Sequence, residues 1–274
     1  TDNIRKSTSP KKDAIETAIK KAKYDYIITT DADCILPEQW LLNYNAFIAA
    51  EQPEMIVAPV AYKTNRSFLQ QFQSLDFLSL QGSTIGAFGI KKPFMCNGAN
   101  LCYRKRAFLG VDGYAGNKSI AGGDDIFLME KMLKTYPGKV KYLKSKEAIV
   151  FTRPQPDFKS LKDQRIRWAA KTGSYTNTFG KIVGMIVFIT NFYLILLFIL
   201  AAFQQVSWQH FGVAFLIKYN VDFVLLFRSA NFFGQQETLS KYLICSVLYP
   251  PFVVYIAVLS FFKTFNWKGR EFKK

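Results

Sequence analysis

Histidine is almost missing from this chain: His210 is the only one in 274 residues. A Ser-His-Asp hydrolase needs a catalytic imidazole and a His-rich metal site needs several, so both are excluded. Cysteine is sparse as well. Cys34, Cys96, Cys102 and Cys245 are scattered with no CxxC pair, which argues against a disulfide framework or a zinc site and fits a reducing compartment. Acidic residues are outnumbered, 20 Asp+Glu against 36 Lys+Arg, for a net charge of +16. No nucleic-acid-binding motif accompanies that excess, and attraction to an anionic membrane surface is the simpler account. These residues show no internal repeat and no low-complexity tract, and none of them is expected to be a signal peptide.

What the chain has in quantity is apolar surface. Half of it is hydrophobic and 26 residues are Phe. Polar and charged residues dominate 1–175. Beyond Gly180 the composition turns apolar, and Ile182 to Phe203 and Leu243 to Phe262 carry no charged residue. Runs of about 20 such residues match a bilayer core of ~30 Å. Phe211 to Phe227 is apolar but includes Lys218 and Asp222, whose i,i+4 spacing allows an ion pair on one helix face. It reads either as a span or as a re-entrant segment. Basic residues before the first run and in the tail after the last place both ends on the cytosolic side, which requires an even number of crossings.

The amino-terminal part alternates helix and strand, the pattern of an α/β sheet flanked by helices. Ser9-Pro10 reads as a helix start, followed by Ala14, Ile15, Ala18, Ile19 and Ala22 at helical spacing. Tyr24 to Thr30 is nearly apolar on both faces, as a buried parallel strand would be. Pro37 opens a helix with Trp40, Leu41, Tyr44, Phe47 and Ile48 on its apolar side. Met55 to Val60 reads as a strand, Ser67 to Leu80 as a helix, and Gly82 to Tyr103 as a Gly-rich irregular stretch. A helix from Asp124 to Leu133 has an acidic first turn, favourable for the helix dipole. Val140 to Leu143 and Ala148 to Thr152 read as late strands. Phe158 to Lys171 is a basic amphipathic helix suited to a membrane–water boundary, with Phe158, Leu161, Arg165 and Trp168 on one face and Lys159, Lys162, Arg167 and Lys171 around them.

Three groups carry chemistry. Asp31-Ala32-Asp33 ends a predicted strand, where open sheets bind ligands. Residues i and i+2 of an extended chain face one side, so the two carboxylates can share a hard divalent cation. Gly122-Gly123-Asp124-Asp125 starts a helix. Capping explains one Asp, and a general base with a pKa raised by its neighbour explains two. Gln164-Arg165-Ile166-Arg167-Trp168 offers a guanidinium for phosphate and an indole for a sugar face, or a plain interfacial anchor.

In this order, just ahead of apolar spans, the three groups resemble the membrane-bound family 2 glycosyltransferases, which include cellulose, chitin and hyaluronan synthases and related lipid glycosyltransferases. The resemblance runs from the lysine-bearing helix before Thr30-Asp31-Ala32-Asp33-Cys34, through Asn97-Gly98-Ala99, to Trp267-Lys268-Gly269-Arg270. It implies an α/β fold of GT-A type followed by transmembrane α-helices, and inverting transfer of a hexose from a UDP- or GDP-sugar to a lipid or growing polysaccharide. By that resemblance Asp31 and Asp33 hold Mg²⁺ or Mn²⁺ and the donor diphosphate. Asp125, paired with Asp124, is the base. Gln164, Arg167 and Trp168 line the donor diphosphate and the acceptor terminus, and Phe94, Cys96 and Gly98 form the acceptor loop. Asp124-Asp125 departs mildly from the family's Glu-Asp.

The family's first strands, with the Asp that recognises the nucleotide base, are not found, so an amino-terminal truncation is expected. The expected organisation is a catalytic domain over 1–157, an interfacial helix over 158–181, a transmembrane region over 182–262 and a basic tail over 263–274. The expected setting is a bacterial inner membrane with the catalytic domain cytosolic. Partners are the nucleotide sugar, the acceptor and membrane lipids, with no nucleic acid. Two rivals are a non-catalytic membrane scaffold that keeps the fold and a metal-dependent lipid phosphotransferase.

Overall fold

The structure is a computed structural model that describes residues 9–65, 67–117 and 122–262, with the backbone of 265–267 and 270–272. The chain forms two compact units, Thr1–Ala61 with Thr84–Arg153, and Tyr62–Ser83 with Pro154–Lys274. In chain order the elements are α1 (Pro10–Lys21), β1 (Tyr26–Thr29), α2 (Trp40–Glu51), β2 (Met55–Val57), β3 (Val60–Tyr62), α3 (Phe68–Gly89), β4 (Leu101–Arg104), α4 (Lys105–Gly110), α5 (Asp124–Thr135), β5 (Val140–Tyr142), β6 (Val150–Thr152), α6 (Phe158–Thr172), α7 (Thr178–Ala202), α8 (Trp208–Phe233) and α9 (Tyr242–Phe262). Two short strands, β7 (Phe265–Trp267) and β8 (Arg270–Phe272), close the order. Lys268 and Gly269 of the Trp-Lys-Gly-Arg segment lie outside the described residues.

The first unit is built on a mixed sheet of order β1-β4-β2-β5. β4 is antiparallel to both β1 and β2, and β5 runs parallel to β2. Alternation along β2 and β4 sorts their side chains between two faces. Met55, Val57, Leu101 and Tyr103 join Ile19 of α1, Phe108 of α4 and Met129 of α5 in one buried cluster. Ile56 and Cys102 join Trp40 and Tyr44 of α2 in the other. Both faces of the central strands are therefore covered, and Met55, Ile56 and Cys102 are wholly buried.

Several sequence expectations are corrected here. β1 lies at a sheet edge and is half-buried along its length, not enclosed between parallel neighbours. Its apolar residues cover the sheet faces while one backbone edge stays unpaired within the described sheet. Met55 to Val60 splits at Pro59, which has no N–H for a ladder; β2 ends at Val57 and β3 begins at Val60. The stretch after Gly82 is not irregular from the outset: α3 runs on to Gly89, and β4 starts at Leu101. Leu41 is 63% exposed, so the apolar side of α2 is narrower than its periodicity implies.

The second unit packs α9 against α6 and α7, and α7 against α8. Among the described residues, three helices are long and apolar enough to cross a membrane: Thr178–Ala202, Trp208–Phe233 and Gln236–Phe262, the last including a 3-10 turn ahead of α9. Their outward faces carry Ile186, Phe192, Val221 and Leu243, all exposed, as lipid contact asks. The segment with Lys218 and Asp222 is one continuous helix, and the two side chains form the expected ion pair. His210 lies in the first turn of α8, its Nδ1 2.7 Å from the Ser207 hydroxyl, and not in a loop.

Part of α3 also belongs to this unit, and its polar side chains are buried there for identifiable reasons. Gln73 pairs with the backbone of Gln155 in both directions, donating to its carbonyl at 3.0 Å and accepting from its amide at 2.8 Å. Ser74 donates to Gln235 Oε1, and Gln235 in turn donates to the Tyr62 carbonyl. Gly82 packs closely on α8: a Cβ there would displace the Ser229 hydroxyl.

Candidate active site

The loop after β1 brings Asp31 to the end of the sheet. The chain does not stay extended: the Cys34 amide donates to the Asp31 carbonyl at 3.1 Å, closing a turn over Ala32 and Asp33. Asp favours such turns, so Asp31 and Asp33 are not the same-face pair that an extended strand would give. Asp31 is half-buried and Asp33 exposed.

Asp31 is engaged by a residue that the motif reading overlooked. Lys11, in the first turn of α1, donates from Nζ to Asp31 Oδ1 at 2.8 Å and lies 3.4 Å from Asp124 Oδ2. One ammonium thus draws together two carboxylates 93 positions apart in the chain. Lys12, beside it, is fully buried and donates to the Asn117 carbonyl at 2.6 Å. Burial pulls the Lys12 amine down to about 8. The spacing of lysines in α1 holds no signal that would single out either one.

Gly122 and Gly123 both adopt positive φ, 77° and 66°. This left-handed turn is cheap only for glycine, and it delivers Asp124 and Asp125 to the first turn of α5. Asp124 is buried. Asp125 is held by two backbone donors, the Gly98 amide to Oδ2 and its neighbour Ile126's amide to Oδ1, each at 2.9 Å. Burial, then the adjacent Asp124 charge, push the Asp125 carboxyl up, while Lys11 and the two amides pull the other way.

The Pro93–Asn100 loop supplies the remaining wall. A Cβ on Gly98 would stand 3.5 Å from Asp125 Oδ2 and 3.6 Å from Lys11 Nζ, so the glycine faces both groups. Cys96 packs on the core, and burial with the Asp125 and Asp124 charges pushes its thiol well up. It is an inert wall residue and not a nucleophile. Phe94 is half-buried in the same loop.

Asn100 anchors the loop's end. Its Oδ1 accepts from Trp40 Nε1 at 3.0 Å and from the Tyr44 hydroxyl at 2.8 Å. Its Nδ2 donates to the Pro59 and Ala148 carbonyls at 2.8 and 2.9 Å.

Gln164, Arg165, Arg167 and Trp168 lie on α6 in the second unit. Gln164, Arg167 and Trp168 are half-exposed, whereas Arg165 is buried and bonded through Nε to Asp76 Oδ2 at 2.7 Å. The interfacial face drawn from periodicity is corrected at two residues. Arg165 does not lay its stem along apolar surface but meets a buried carboxylate. Lys171, placed among the solvent-facing lysines, is 7% exposed.

Comparison with known proteins gives a match over most of the chain: residues 26–258 fit the model described as glycosyl transferase family group 2. The chain belongs to glycosyl transferase family group 2. No curated protein matched. Membership establishes a glycosyl-transferring domain with GT-A architecture ahead of helices long enough to cross a membrane. The family match spans residues of both units, and it takes in every candidate site residue named above except Lys11 and Lys12.

Side chains of this glycosyltransferase that could hold a cation are few. Among the described residues no three His, Cys, Asp or Glu side chains come together as a cation site. Asp31 and Asp33 offer hard oxygen donors and at most two side chains. That donor set fits Mg²⁺ or Mn²⁺ arriving with substrate phosphates to complete the coordination, and it does not fit an all-protein cage. Lys11, seated between Asp31 and Asp124, marks the place where these carboxylates demand positive charge.

Proposed function

We propose that this glycosyltransferase moves a hexose, with inversion, from a UDP- or GDP-sugar to a lipid or growing polysaccharide acceptor at the membrane, the catalytic unit facing the cytosol. The observation that carries the reading is the meeting of four separate chain segments: Lys11, Asp31, Gly98 and the adjacent pair Asp124 and Asp125.

Asp125 is the base. Its carboxylate is fixed by two amides, and its raised proton affinity suits it to take a proton from a sugar hydroxyl. The hydroxyl oxygen forms the new bond to the anomeric carbon as the bond to the diphosphate oxygen breaks on the opposite face. The proton goes to Asp125 and the electron pair leaves with the nucleoside diphosphate. Lys11 keeps Asp31 and Asp124 from repelling each other and lends positive charge near the leaving group. Asp31 and Asp33 would hold Mg²⁺ or Mn²⁺, which supplies charge neutralisation to the departing diphosphate. Following the family resemblance, Gln164 and Arg167 attend the diphosphate and Trp168 forms the wall for the acceptor sugar.

The test is a donor panel. The full-length protein in membrane vesicles should release nucleoside diphosphate from a UDP- or GDP-sugar. Chelation should lower that rate by about a hundredfold or more, and Mg²⁺ or Mn²⁺ should restore it. Turnover of a nucleoside triphosphate instead would make the protein a phosphotransferase. No turnover with any donor would leave a scaffold.

A pH–rate profile separates the neighbours of Asp125. The base must be ionised, so kcat/KM should fall as pH drops through its raised pKa. Asp124→Asn removes the repelling charge and should move this acid limb to lower pH. Lys11→Met removes the stabilising charge and should move it to higher pH. Shifts of the same sign in both variants would contradict the assignment.

A further inference from the structure

Arg165 is the one polar side chain of the Gln164–Trp168 group that the proposed chemistry leaves without a task. It is 6% exposed; two of its three guanidinium nitrogens are hydrogen-bonded, and Nη2 is buried without a hydrogen-bond partner. Nε donates to Asp76 Oδ2 at 2.7 Å, Nη1 donates to Gln164 Oε1, and the Tyr62 hydroxyl lies beside it. The flat of the guanidinium sits 4.3 Å from the centre of the Trp168 ring. Phe77, one residue after Asp76 on α3, lies 6.5 Å from the same ring and is itself stacked on Tyr62 at 4.4 Å. The indole is therefore backed by a cation and an aromatic, with Trp168 still half-exposed.

The chemistry of this arrangement argues against a ligand role for Arg165. Its one formal charge is matched by the buried Asp76 carboxylate, and Nη2, the donor left without a hydrogen bond, is itself buried. It argues equally against simple stabilisation. Burying an ion pair gains little net stability, and apolar residues of similar volume pack as well. What the pair supplies that an apolar pair does not is orientation. A guanidinium is a rigid plane, and a carboxylate bonded to Nε fixes the rotation of that plane. The plane in turn sets the tilt of the indole stacked on it.

We propose that Asp76 is a positioning residue for sugar transfer: through Arg165 it holds the Trp168 indole in the geometry that receives the acceptor. The kinetic part rests on the reading of Trp168 as the acceptor wall; the structural part does not. Asp76 touches no substrate, and neither does Arg165.

The experiment compares Asp76→Asn, Arg165→Lys and the double variant in the full-length protein in membrane vesicles. Arg165→Lys keeps the charge opposite Asp76 and loses the plane. The first readout needs no turnover: tryptophan emission, with the Trp168→Phe spectrum subtracted so that the difference belongs to Trp168. Each variant should shift that difference spectrum. The second readout is kinetic. Each single variant should raise the acceptor KM by about tenfold to a hundredfold with donor KM within about twofold, as expected for a misplaced contact. The double variant should be no worse than the more severe single one, because both break one device.

Trp168 emission unchanged in Asp76→Asn would overturn the proposal, whatever the kinetics. So would a rise in donor KM at constant acceptor KM, or effects that multiply in the double variant. If Asp76→Asn fails to fold, Asp76→Glu decides, since it keeps the carboxylate and shifts it by one methylene. It should alter the Trp168 spectrum and raise the acceptor KM by less, and an unaltered spectrum would sink the idea. If the protein transfers no sugar at all, the proposed function fails while the fluorescence comparison still judges the Asp76 device.

Discussion

Asp125→Asn should reduce sugar transfer about a thousandfold or more while leaving nucleotide-sugar affinity within about threefold. Asn is nearly isosteric but cannot take a proton from the acceptor. The structure predicts little collateral damage. One of the two amides that hold Asp125, Gly98 N–H or Ile126 N–H, keeps an acceptor in the Asn oxygen. The other loses its acceptor, at a cost of about 1 kcal/mol. Single-turnover transfer and equilibrium donor binding, measured side by side, check both halves. Weak donor binding with the rate otherwise preserved would mean that Asp125 serves the diphosphate and is not the base.

Asn100→Ala should be the most damaging single substitution in the sheet-containing unit, destabilising it by about 3 kcal/mol or more. Four hydrogen bonds end on this one fully buried amide. The Pro59 carbonyl would keep the Val150 amide as a donor. The Trp40 indole, the Tyr44 hydroxyl and the Ala148 carbonyl would lose the Asn100 bond inside an apolar cluster, where unpaired polar groups are costly. Trp40→Phe and Tyr44→Phe each remove one partner and spare the rest, and each should cost only about 1 kcal/mol. Thermal unfolding of the detergent-solubilised full-length protein distinguishes these. An Asn100→Ala chain as stable as Tyr44→Phe would show that the four bonds do not act as a hub.

Much of this architecture could be read directly from residue order. The uncharged runs at Ile182 and Leu243 became α7 and α9, and the i,i+4 spacing of Lys218 and Asp222 became an ion pair. The glycines ahead of Asp124 signalled a special backbone, and they take positive φ. These features are local: spacing along a few turns settles them. What escaped reading depends on partners far away in the chain. Asp31 looked like one of two same-face ligands because an extended backbone was assumed, and a turn intervened. Lys11 was one lysine among several until Asp31 and Asp124 were seen to converge on it.

Arg165 and Asp76 are 89 positions apart, and no periodicity links them. Arg165 was therefore assigned to an interfacial face on helical spacing alone. Asn100 was legible only as part of a loop string, since its four partners come from α2, the β2–β3 break and the turn before β6. The number of apolar helices also resisted charge counting. Basic ends favour an even number of crossings, and among the described residues three helices have the length and composition to span. The charged pair on α8 lowered the apparent apolarity of a segment that is nonetheless a continuous helix.

The central claim is that Asp31 and Asp33 serve the cation and diphosphate while Asp125, near the same Lys11 ammonium, serves the acceptor. Mn²⁺ electron paramagnetic resonance of the full-length protein with nucleoside diphosphate tests this division most directly. The account predicts nucleotide-dependent Mn²⁺ binding that is lost in the Asp31→Asn, Asp33→Asn double variant and kept in Asp125→Asn. Binding that survives the first change, or vanishes with the second, would contradict it.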